Sequence, residues 1–600
     1  MENDVEKGKE FYSAVNKRFV LPKNEGINKL CPLKEAVKKY IDEPRMVIHL
    51  TQTGVRWPAA AIFEIARQFW GTKPDFTLIG ISMNHPQAIL VHGGLVKKLI
   101  TTYCGDPYFT PAPNGVYQRA YLNNQIEIEN WTILTLPLRL KAAAMGLPVA
   151  VTKSIIGSSM AEENKGAFLV GEDPFGTGEK VGIMEALYPD LSIVHGWVAD
   201  CYGNTILLPP LAENTYGAMA SKKGAIVTVE KIVDTDYIRK NAHLVALPGD
   251  YVRCVSEVPL GAHPAGLTNI GLPDFPTYAE DYEFVNEARL AAKRSEDFDK
   301  WVNKWVLSCR NHEAYLKKLG TERILALKGK SHSDAWNYDF SFSLEDNTSK
   351  PYTSLEMALV AGARKLREKI KAKNYHTILA GAGIANLSAW LGYYDLKNEG
   401  CEVALMAEVG LYGYSPRPFD PALFNQRNFY TCKALTDSHH VMGIYMGGVN
   451  NRCIGVIGFG EVDKYGNINT TKIPGQTYIA GSGGANDIAS SAQEILAVGT
   501  QHKSRFLENV TYVTSPGKKV MTLVSDLGIF EKLPGDEEFT LTACLPDKKS
   551  SSLPEHIDKI KNNCGWELKI KPDVKMIAPP SQEELITLRI FDPRHYFIKP

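Results

Sequence analysis

Short apolar runs alternate with segments of helical spacing along most of the chain. Strand-like runs lie at residues 46–50, 76–81 and 95–100, a helical segment lies at 59–69, and a β-branched run lies at 225–232. Strands that alternate with helices are typical of a largely parallel sheet with right-handed crossovers. The pattern therefore predicts an open α/β architecture.

A change of pattern divides the chain. Residues 282–319 are rich in Ala, Glu, Lys, Arg and Trp with helical spacing, and the polar stretch 328–352 has the composition of a linker. A helix at 355–371 then opens a second series of strands and helices. We predict a first half at residues 1–320, a linker at 321–352 and a second half at 353–600.

The two halves share a turn. Asp200 and Asp463 each follow an apolar strand, and each is followed within a few residues by the tripeptide Tyr-Gly-Asn. In both places an aromatic, glycine-bearing segment comes next. A repeat of such long period predicts two related α/β halves with mostly parallel sheets, packed against each other.

Composition narrows the class of protein. Six hundred residues are too many for a single core, and the 67 basic residues balance the 67 acidic ones. This balance gives no electrostatic reason to expect a nucleic-acid or membrane-surface protein. None of the ten cysteines forms a Cys-x-x-Cys pair, and the charged N-terminus lacks the apolar core of a signal peptide. No apolar run approaches membrane-spanning length, so we expect a reduced cytoplasmic protein.

The strongest candidate for chemistry is Glu408. It directly follows the apolar run 403–406, and Gly410 and Gly413 come next. Ligands collect at the carboxyl ends of strands in an open α/β sheet, and glycines let the chain turn tightly there. The carboxylate can serve as a general base, a nucleophile or a metal ligand, or it can be a solvated loop residue.

A glycine-rich segment at residues 481–490 is the second candidate. Small residues precede Asn486, Asp487 and an apolar helical run. Converging backbone N–H groups at a helix start can hold a phosphate or a developing oxyanion. The alternative is a plain loop that leads into the helix.

Other motifs give weaker indications of function. Residues 381–386 resemble a dinucleotide fingerprint but have Asn386 in place of the third glycine, which favours a simple strand-to-helix turn. His85, His263 and the pair at 439–440 lack metal-ligand spacing, so we predict no metal site. Signatures of serine hydrolases and zinc hydrolases are absent from the sequence.

Taken in order, three of these features resemble a known family. The second half resembles the β subunit of family I CoA-transferases, in particular the glutaconate CoA-transferase branch. The stretches that carry this resemblance are residues 408–413, 463–471 and 481–489, together with the tail 579–593. The first half resembles the α subunit in four stretches, at residues 54–58, 138–142, 200–204 and 225–232. The resemblance spans residues 40–595 and implies two subunits fused in one chain, with 285–350 as the joint.

The resemblance implies an activity and a site. A CoA-transferase moves CoA from an acyl-CoA to a dicarboxylic or short-chain acid, and its catalytic glutamate matches Glu408. An acyl-glutamyl anhydride and a glutamyl-CoA thioester would form there. We expect the amides of Gly483, Gly484 and Ala485 to bind the oxyanion or CoA, and Gly410 to line the substrate site. CoA would be a substrate, with no permanently bound cofactor.

Several questions stay open from sequence. Arg56 suits bidentate contact with a substrate carboxylate or with a phosphate of CoA, yet Arg56 and Arg417 can equally tie loops together. Glu408 argues against a related decarboxylase branch that has cysteine there. The same fold includes acyl-CoA hydrolases, among them enzymes that open a cyclic β-keto ring, and a non-catalytic acyl-CoA binding protein is a third alternative. We expect a homo-oligomer.

Overall fold

A computed structural model describes residues 2–21, 26–50, 56–107, 111–337, 350–546 and 552–598. Among these residues, no helix combines the length and apolar character that crossing a bilayer requires. All ten cysteines carry free thiols.

Twelve strands lie in the first half of the described chain. They are β1 (Val47–Leu50), β2 (Phe76–Met83), β3 (Val96–Cys104), β4 (Glu127–Asn130), β5 (Val149–Thr152), β6 (Phe168–Glu172), β7 (Lys180–Glu185), β8 (Leu191–Ala199), β9 (Thr205–Ile206), β10 (Ala225–Ile232), β11 (Val245–Leu247) and β12 (Val252–Glu257).

Nine of these strands form the main sheet of the first half. The order is β11-β9-β8-β1-β2-β3-β4, and β10 pairs with both β8 and β12. Seven of the nine strands are parallel to one another, namely β1, β2, β3, β4, β8, β10 and β12. The other two, β9 and β11, pair in antiparallel fashion. Strand β5 does not join this sheet and belongs to a separate antiparallel sheet with β7 and β6.

Fifteen more strands are described in the second half. They are β13 (Thr377–Ala380), β14 (Ala404–Ala407), β15 (Leu411–Tyr414), β16 (Ala434–Leu435), β17 (Cys453–Ile457), β18 (Glu461–Asp463), β19 (Ile468–Asn469), β20 (Lys472–Ile473), β21 (Thr477–Tyr478), β22 (Glu494–Val498), β23 (Phe506–Leu507), β24 (Val520–Val524), β25 (Gly528–Glu531), β26 (Thr540–Cys544) and β27 (Lys569–Met576).

Ten of them form the second main sheet, in the order β16-β15-β14-β13-β17-β22-β24-β25-β26-β27. The run from β14 to β24 is parallel, and antiparallel strands extend it on both sides. Both halves thus have an open sheet with a parallel centre, as the sequence pattern predicts.

Helices cover these sheets. In the first half they are Glu2–Phe19, Leu33–Tyr40, Ala59–Phe69, His85–His92, Gly115–Leu122, Thr135–Ala144, Ser159–Glu163, Tyr216–Ala220, Thr235–Lys240, Tyr282–Ala291, Ser295–Val302, His312–Leu319 and Thr321–Gly329. In the second half they are Ser354–Lys373, Ala385–Asn398, Gln426–Phe429, Ala485–Ser491, Leu553–Asn562 and Gln582–Phe591.

Local sequence explains where the long helix of the second half begins. Thr353 is its N-cap, and the Thr353 side chain accepts a hydrogen bond from the backbone of Glu356, whose carboxylate bonds back to the Thr353 N–H. This capping box satisfies two otherwise unpaired donors. The helix Thr321–Gly329 lies inside the segment 321–352 that we predict as a linker. Residues 338–349 of this segment lie outside the described residues. The domain boundaries therefore stay a prediction.

The repeated turn has the same geometry in both halves. Asn204 donates its backbone N–H and its side-chain Nδ2–H to the two carboxylate oxygens of Asp200, each at 2.9 Å. Asn467 makes the same two bonds to Asp463, each at 3.0 Å. Aspartate is suited to this role because its short side chain bonds the backbone a few residues on. The match supports two related halves.

The halves meet through an apolar core. One continuous cluster contains Ile81 and Trp131 from the first half together with Trp390 and Leu405 from the second, and all four are buried. Burial of apolar surface is the main stabilising contribution in such contacts. The two halves therefore pack against each other through a shared apolar core.

Candidate active site

Glu408 lies in a hairpin turn at the end of a parallel strand. Residue 407 ends β14, residues 408–410 turn, and β15 returns antiparallel to β14. Gly410 has a φ of +121°, and a Cβ there would overlap the carbonyl oxygen of Thr436. A glycine is therefore needed to let the turn approach the neighbouring backbone. This confirms that Glu408 follows a strand and that the chain turns there on glycine.

A cavity of about 80 Å³ opens in front of the Glu408 side chain. Both halves contribute to its described lining, which is largely apolar. The first half provides Ile81, Ser82, Asn84, Tyr103, Pro107, Pro111 and Ile133, and the second half provides Ala382, Glu408, Val409, Ala422, Leu423, Phe424, Gly483 and Phe597. The carboxylate is thus enclosed between the halves.

Backbone hydrogen bonds clamp the glycine-rich segment across this boundary. The Gly483 N–H donates to the Thr102 carbonyl at 2.9 Å, and the Ile133 N–H donates to the Gly483 carbonyl at 3.1 Å. Gly481 has a φ of +111°, and a Cβ there would overlap the backbone of Thr102. The first half therefore fixes the position of the segment that faces Glu408.

The three predicted amide donors differ in what they already bond. The Gly483 N–H is committed to Thr102, and the Ala485 N–H donates to the Ser482 carbonyl at 2.9 Å. The Gly484 amide instead favours the charged form of the Glu408 carboxyl group and so lowers its pKa, and a Cβ on Gly484 would overlap that carboxylate. Of the three, Gly484 is the donor directed at Glu408.

The electrostatics of the cavity favour a protonated Glu408. Burial, followed by the charge of Asp487, raises the pKa of Glu408 to about 8, while the Gly484 amide opposes this rise. Burial likewise raises the pKa of Asp487 to about 6, against hydrogen bonds from the Thr132 hydroxyl (2.6 Å) and the Leu134 N–H (3.1 Å). A like charge nearby disfavours ionisation of a second carboxyl group.

The other predicted site residues do not line the described cavity. The buried Arg56 has a φ of +62° and donates from Nη2 to the Pro210 carbonyl at 3.0 Å. Burial lowers the pKa of Arg56 to about 10, and the charge of Glu213 opposes the shift. Its Nε and Nη1 have no hydrogen-bond partner among the described residues. Gly410 serves the hairpin, so a substrate role for either residue stays a prediction; Gly54 and Val55 lie outside the described residues.

Among the described residues, one group has the geometry of metal ligands. Donor atoms of Asp437, His439 and His440 lie within 4.8 Å of one another. However, the Asp437 carboxylate already pairs with His440 Nδ1 at 2.7 Å. Burial and then the charge of Lys141 lower the pKa of His439, and such a neighbouring cation opposes the binding of a metal ion.

Arg417 fits the alternative in which an arginine ties loops together, because its guanidinium lies 6.0 Å from the centre of the Trp336 ring.

Sequence reasoning missed several residues of this cavity. Asn84 directly follows β2, and Tyr103 lies within β3. Leu423 comes from an irregular loop, and Phe597 comes from the C-terminal tail. None belongs to a motif, because each reaches the cavity through the packing of the whole chain. Asp487 is different, since it lies directly behind the glycine run that we singled out.

Comparisons with known proteins agree with this architecture. A family model described as coenzyme A transferase matches residues 32–257. Glutaconate CoA-transferase from Acidaminococcus fermentans has two subunits that resemble this chain. One is 28% identical over 316 residues, covering 50% of this chain and 95% of its own length. The other is 28% identical over 273 residues, covering 41% of this chain and 96% of its own length. The former matches the first half and the latter the second.

A solved structure extends the likeness to the whole chain. The apoenzyme of an acyl-CoA transferase from Escherichia coli O157:H7 aligns with a TM-score of 0.62 at 15% identity, covering 96% of this chain and 99% of that one. At this identity the likeness concerns the fold alone.

Proposed function

We propose that this chain, whose two halves are similar to the two subunits of a coenzyme A transferase, transfers CoA from an acyl-CoA thioester to a carboxylic acid through Glu408. The observation that supports this most is the placement of the Glu408 carboxylate. It is buried in a cavity that both halves line, and it lies against the backbone of Gly484, whose amide favours its charged form.

In this proposal Glu408 is the nucleophile. A carboxylate oxygen of Glu408 attacks the thioester carbonyl carbon, the C–S bond breaks, and CoA leaves as a thiolate from an acyl-glutamyl anhydride. The thiolate then attacks the glutamyl carbonyl carbon, which releases the first acid and leaves a glutamyl-CoA thioester. An acceptor carboxylate repeats both steps in reverse and restores the Glu408 carboxylate. This is covalent catalysis by a carboxylate side chain.

Gly484 has a specific task in this scheme. When the thiolate attacks the glutamyl carbonyl, negative charge develops on a Glu408 oxygen, and the Gly484 N–H is already directed at that carboxylate. A donor fixed at the site of developing charge stabilises the transition state without reorganisation, and losing one typically costs about 100- to 1000-fold in rate. CoA enters this scheme as a substrate rather than as a bound cofactor.

A hydrolase is the second candidate, and one observation favours it. A carboxyl group with a pKa near 8 is well placed to act as a general base towards water. In that scheme Glu408 removes a proton from a water molecule that attacks the acyl carbon, and CoA thiol is released without an acceptor acid.

An exchange assay separates the two candidates. The full chain is incubated with acyl-CoA and a radiolabelled carboxylic acid, and labelled acyl-CoA and free thiol are both measured. We expect labelled acyl-CoA to form without a matching rise in free thiol. Glu408→Gln should lower the exchange rate by about 1000-fold, as loss of a covalent nucleophile does.

Glu402→Gln is the matched control, because Glu402 is an exposed glutamate just before the same strand. It should exchange at the wild-type rate. Free thiol that rises in step with acyl-CoA loss, with no label in the thioester pool, would establish the hydrolase instead.

Two further expectations belong to this proposal. The substrates are an acyl-CoA and a carboxylic acid, and the chain acts as a homo-oligomer. We also place the enzyme in the cytoplasm, consistent with its ten free thiols.

A further inference from the structure

The chemistry of the cavity lining bears on which acyl group fits beside Glu408. Its apolar lining includes Ile81 and Ile133 of the first half together with Leu423, Phe424 and Phe597 of the second half. Asn84 and Tyr103 add polar groups without charge. Glu408 is the one charged side chain in the described lining, and no arginine, lysine or histidine is part of it.

Arg56 does not supply the missing cation among the described residues. Arg56 lies outside the described lining and donates a hydrogen bond to the Pro210 carbonyl. The nearby carboxylate of Glu213 favours its charged form and so opposes the lowering of its pKa by burial. The undescribed segments 51–55 and 108–110 contain no basic residue in the sequence. Lys599 follows Phe597 closely in the sequence, so the experiments below include it.

A second carboxylate in this cavity would therefore be buried without a cationic partner among the described lining residues. It would also lie near Glu408, whose own ionisation is already opposed by burial and by the charge of Asp487. Burying an unpaired charge is strongly unfavourable, and a like charge close by adds to the cost. The cavity thus discriminates against an acyl group that ends in a carboxylate.

The size of the cavity sets an upper limit on the acyl group. Its volume is about 80 Å³. An engineered apolar cavity of about 150 Å³ in another protein binds one benzene molecule, so the cavity beside Glu408 has roughly half that volume. A chain of a few carbons fits this space, and a ring system does not fit without rearrangement of the lining.

We infer that the acyl group carried by this chain is a short, uncharged one of about two to five carbons, rather than a dicarboxylic or cyclic one. This inference rests on the proposed function. It assigns the acyl site to the apolar part of the cavity, which Ile81, Ile133, Leu423 and Phe424 line.

The test compares acyl-CoAs on the full wild-type chain. Acetyl-, propionyl- and butyryl-CoA are set against succinyl-, glutaryl- and glutaconyl-CoA, with acetate as acceptor, and kcat/KM is measured for each. We expect the best uncharged substrate to exceed every dicarboxylic one by about 100-fold or more. A dicarboxylic acyl-CoA that is preferred would overturn the inference.

Further variants address the origin of the preference. Ala422→Val narrows the cavity, so kcat/KM should fall more for butyryl-CoA than for acetyl-CoA. Arg56→Gln and Lys599→Gln should each leave the ratio of butyryl to succinyl rates within about twofold, because this inference places the acyl group in a cavity whose described lining does not include Arg56 and assigns no carboxylate contact to Lys599. Selective loss of succinyl activity in either variant would identify a carboxylate partner and contradict the inference.

Failure of the inference is distinguishable from failure of the proposed function. If dicarboxylic acyl-CoAs react and exchange label in a Glu408-dependent way, the function stands and the acyl assignment falls. If no acyl-CoA of the panel exchanges label, the proposed function itself falls.

Discussion

Glu408 owes its chemistry to its surroundings rather than to its residue type. The side chain is 7% exposed, and burial and the nearby Asp487 together raise its pKa to about 8. A nucleophilic carboxylate must be ionised, so this environment holds the group in its unreactive form at low pH. Its reactivity therefore depends on pH in a range where an exposed glutamate is fully ionised.

The first prediction concerns this pH dependence. Because attack requires the carboxylate, kcat/KM for acyl-CoA should rise with pH up to an inflection near 8. Asp487→Asn removes the neighbouring charge, so its inflection should lie at lower pH. Initial rates between about pH 5 and pH 9 measure both profiles.

Glu296→Gln provides the control for this profile, because its side chain is exposed on the first half and is not part of the described cavity lining. Its inflection should coincide with the wild-type one. An Asp487→Asn profile that also coincides with the wild type would refute the electrostatic coupling.

At the scale of elements, a hairpin turn and a glycine loop form the site. The hairpin β14–β15 carries Glu408, and the loop before the helix Ala485–Ser491 carries Gly484. Gly484 has φ −91° and ψ 0°, which any residue adopts. A glycine is therefore suited to this position because the absence of a side chain lets Glu408 approach the loop, and not because of its backbone conformation. The space that its missing Cβ leaves is filled by the Glu408 carboxylate and by Met442, whose Cε would lie 2.8 Å from a Cβ.

Gly484→Ala is therefore a sharp test of the loop. The added methyl should displace the Glu408 carboxylate and lower kcat/KM by about 100-fold, as small misplacements of reacting groups do. The thermal unfolding midpoint should change little, because the backbone conformation suits alanine. Gly329→Ala is the control, since a Cβ there meets nothing within 4 Å. Wild-type activity of Gly484→Ala would exclude close contact between the loop and Glu408.

The elements were largely predictable from sequence, and the reasons are local. Helix Ala59–Phe69 and strand β10 have the predicted bounds, and Glu408 follows its strand as expected. The separate sheet of β5, β6 and β7 was not predicted, because an isolated apolar run does not reveal its partners. The placement of Arg56 also escaped prediction, since it depends on Pro210 and Glu213, which are distant in sequence.

At the scale of the whole molecule, the site exists because two halves meet. Ile81 and Ile133 of the first half complete a cavity whose reactive group belongs to the second. The first half also fixes the glycine loop through Thr102 and supports Asp487 through Thr132. Neither half alone contains the lining, the clamped loop and the carboxylate together.

The most direct test of the account is to trap the intermediate on Glu408 in the intact chain. The protein is incubated with a short acyl-CoA, quenched with borohydride and analysed by peptide mass spectrometry. Borohydride reduces a glutamyl-CoA thioester to an alcohol, so the peptide that contains Glu408 should lose one oxygen and gain two hydrogens. The change should require acyl-CoA, persist in Glu402→Gln and be absent in Glu408→Gln. Turnover of acyl-CoA with Glu408 unmodified, or reduction at another residue, would contradict covalent transfer through this carboxylate.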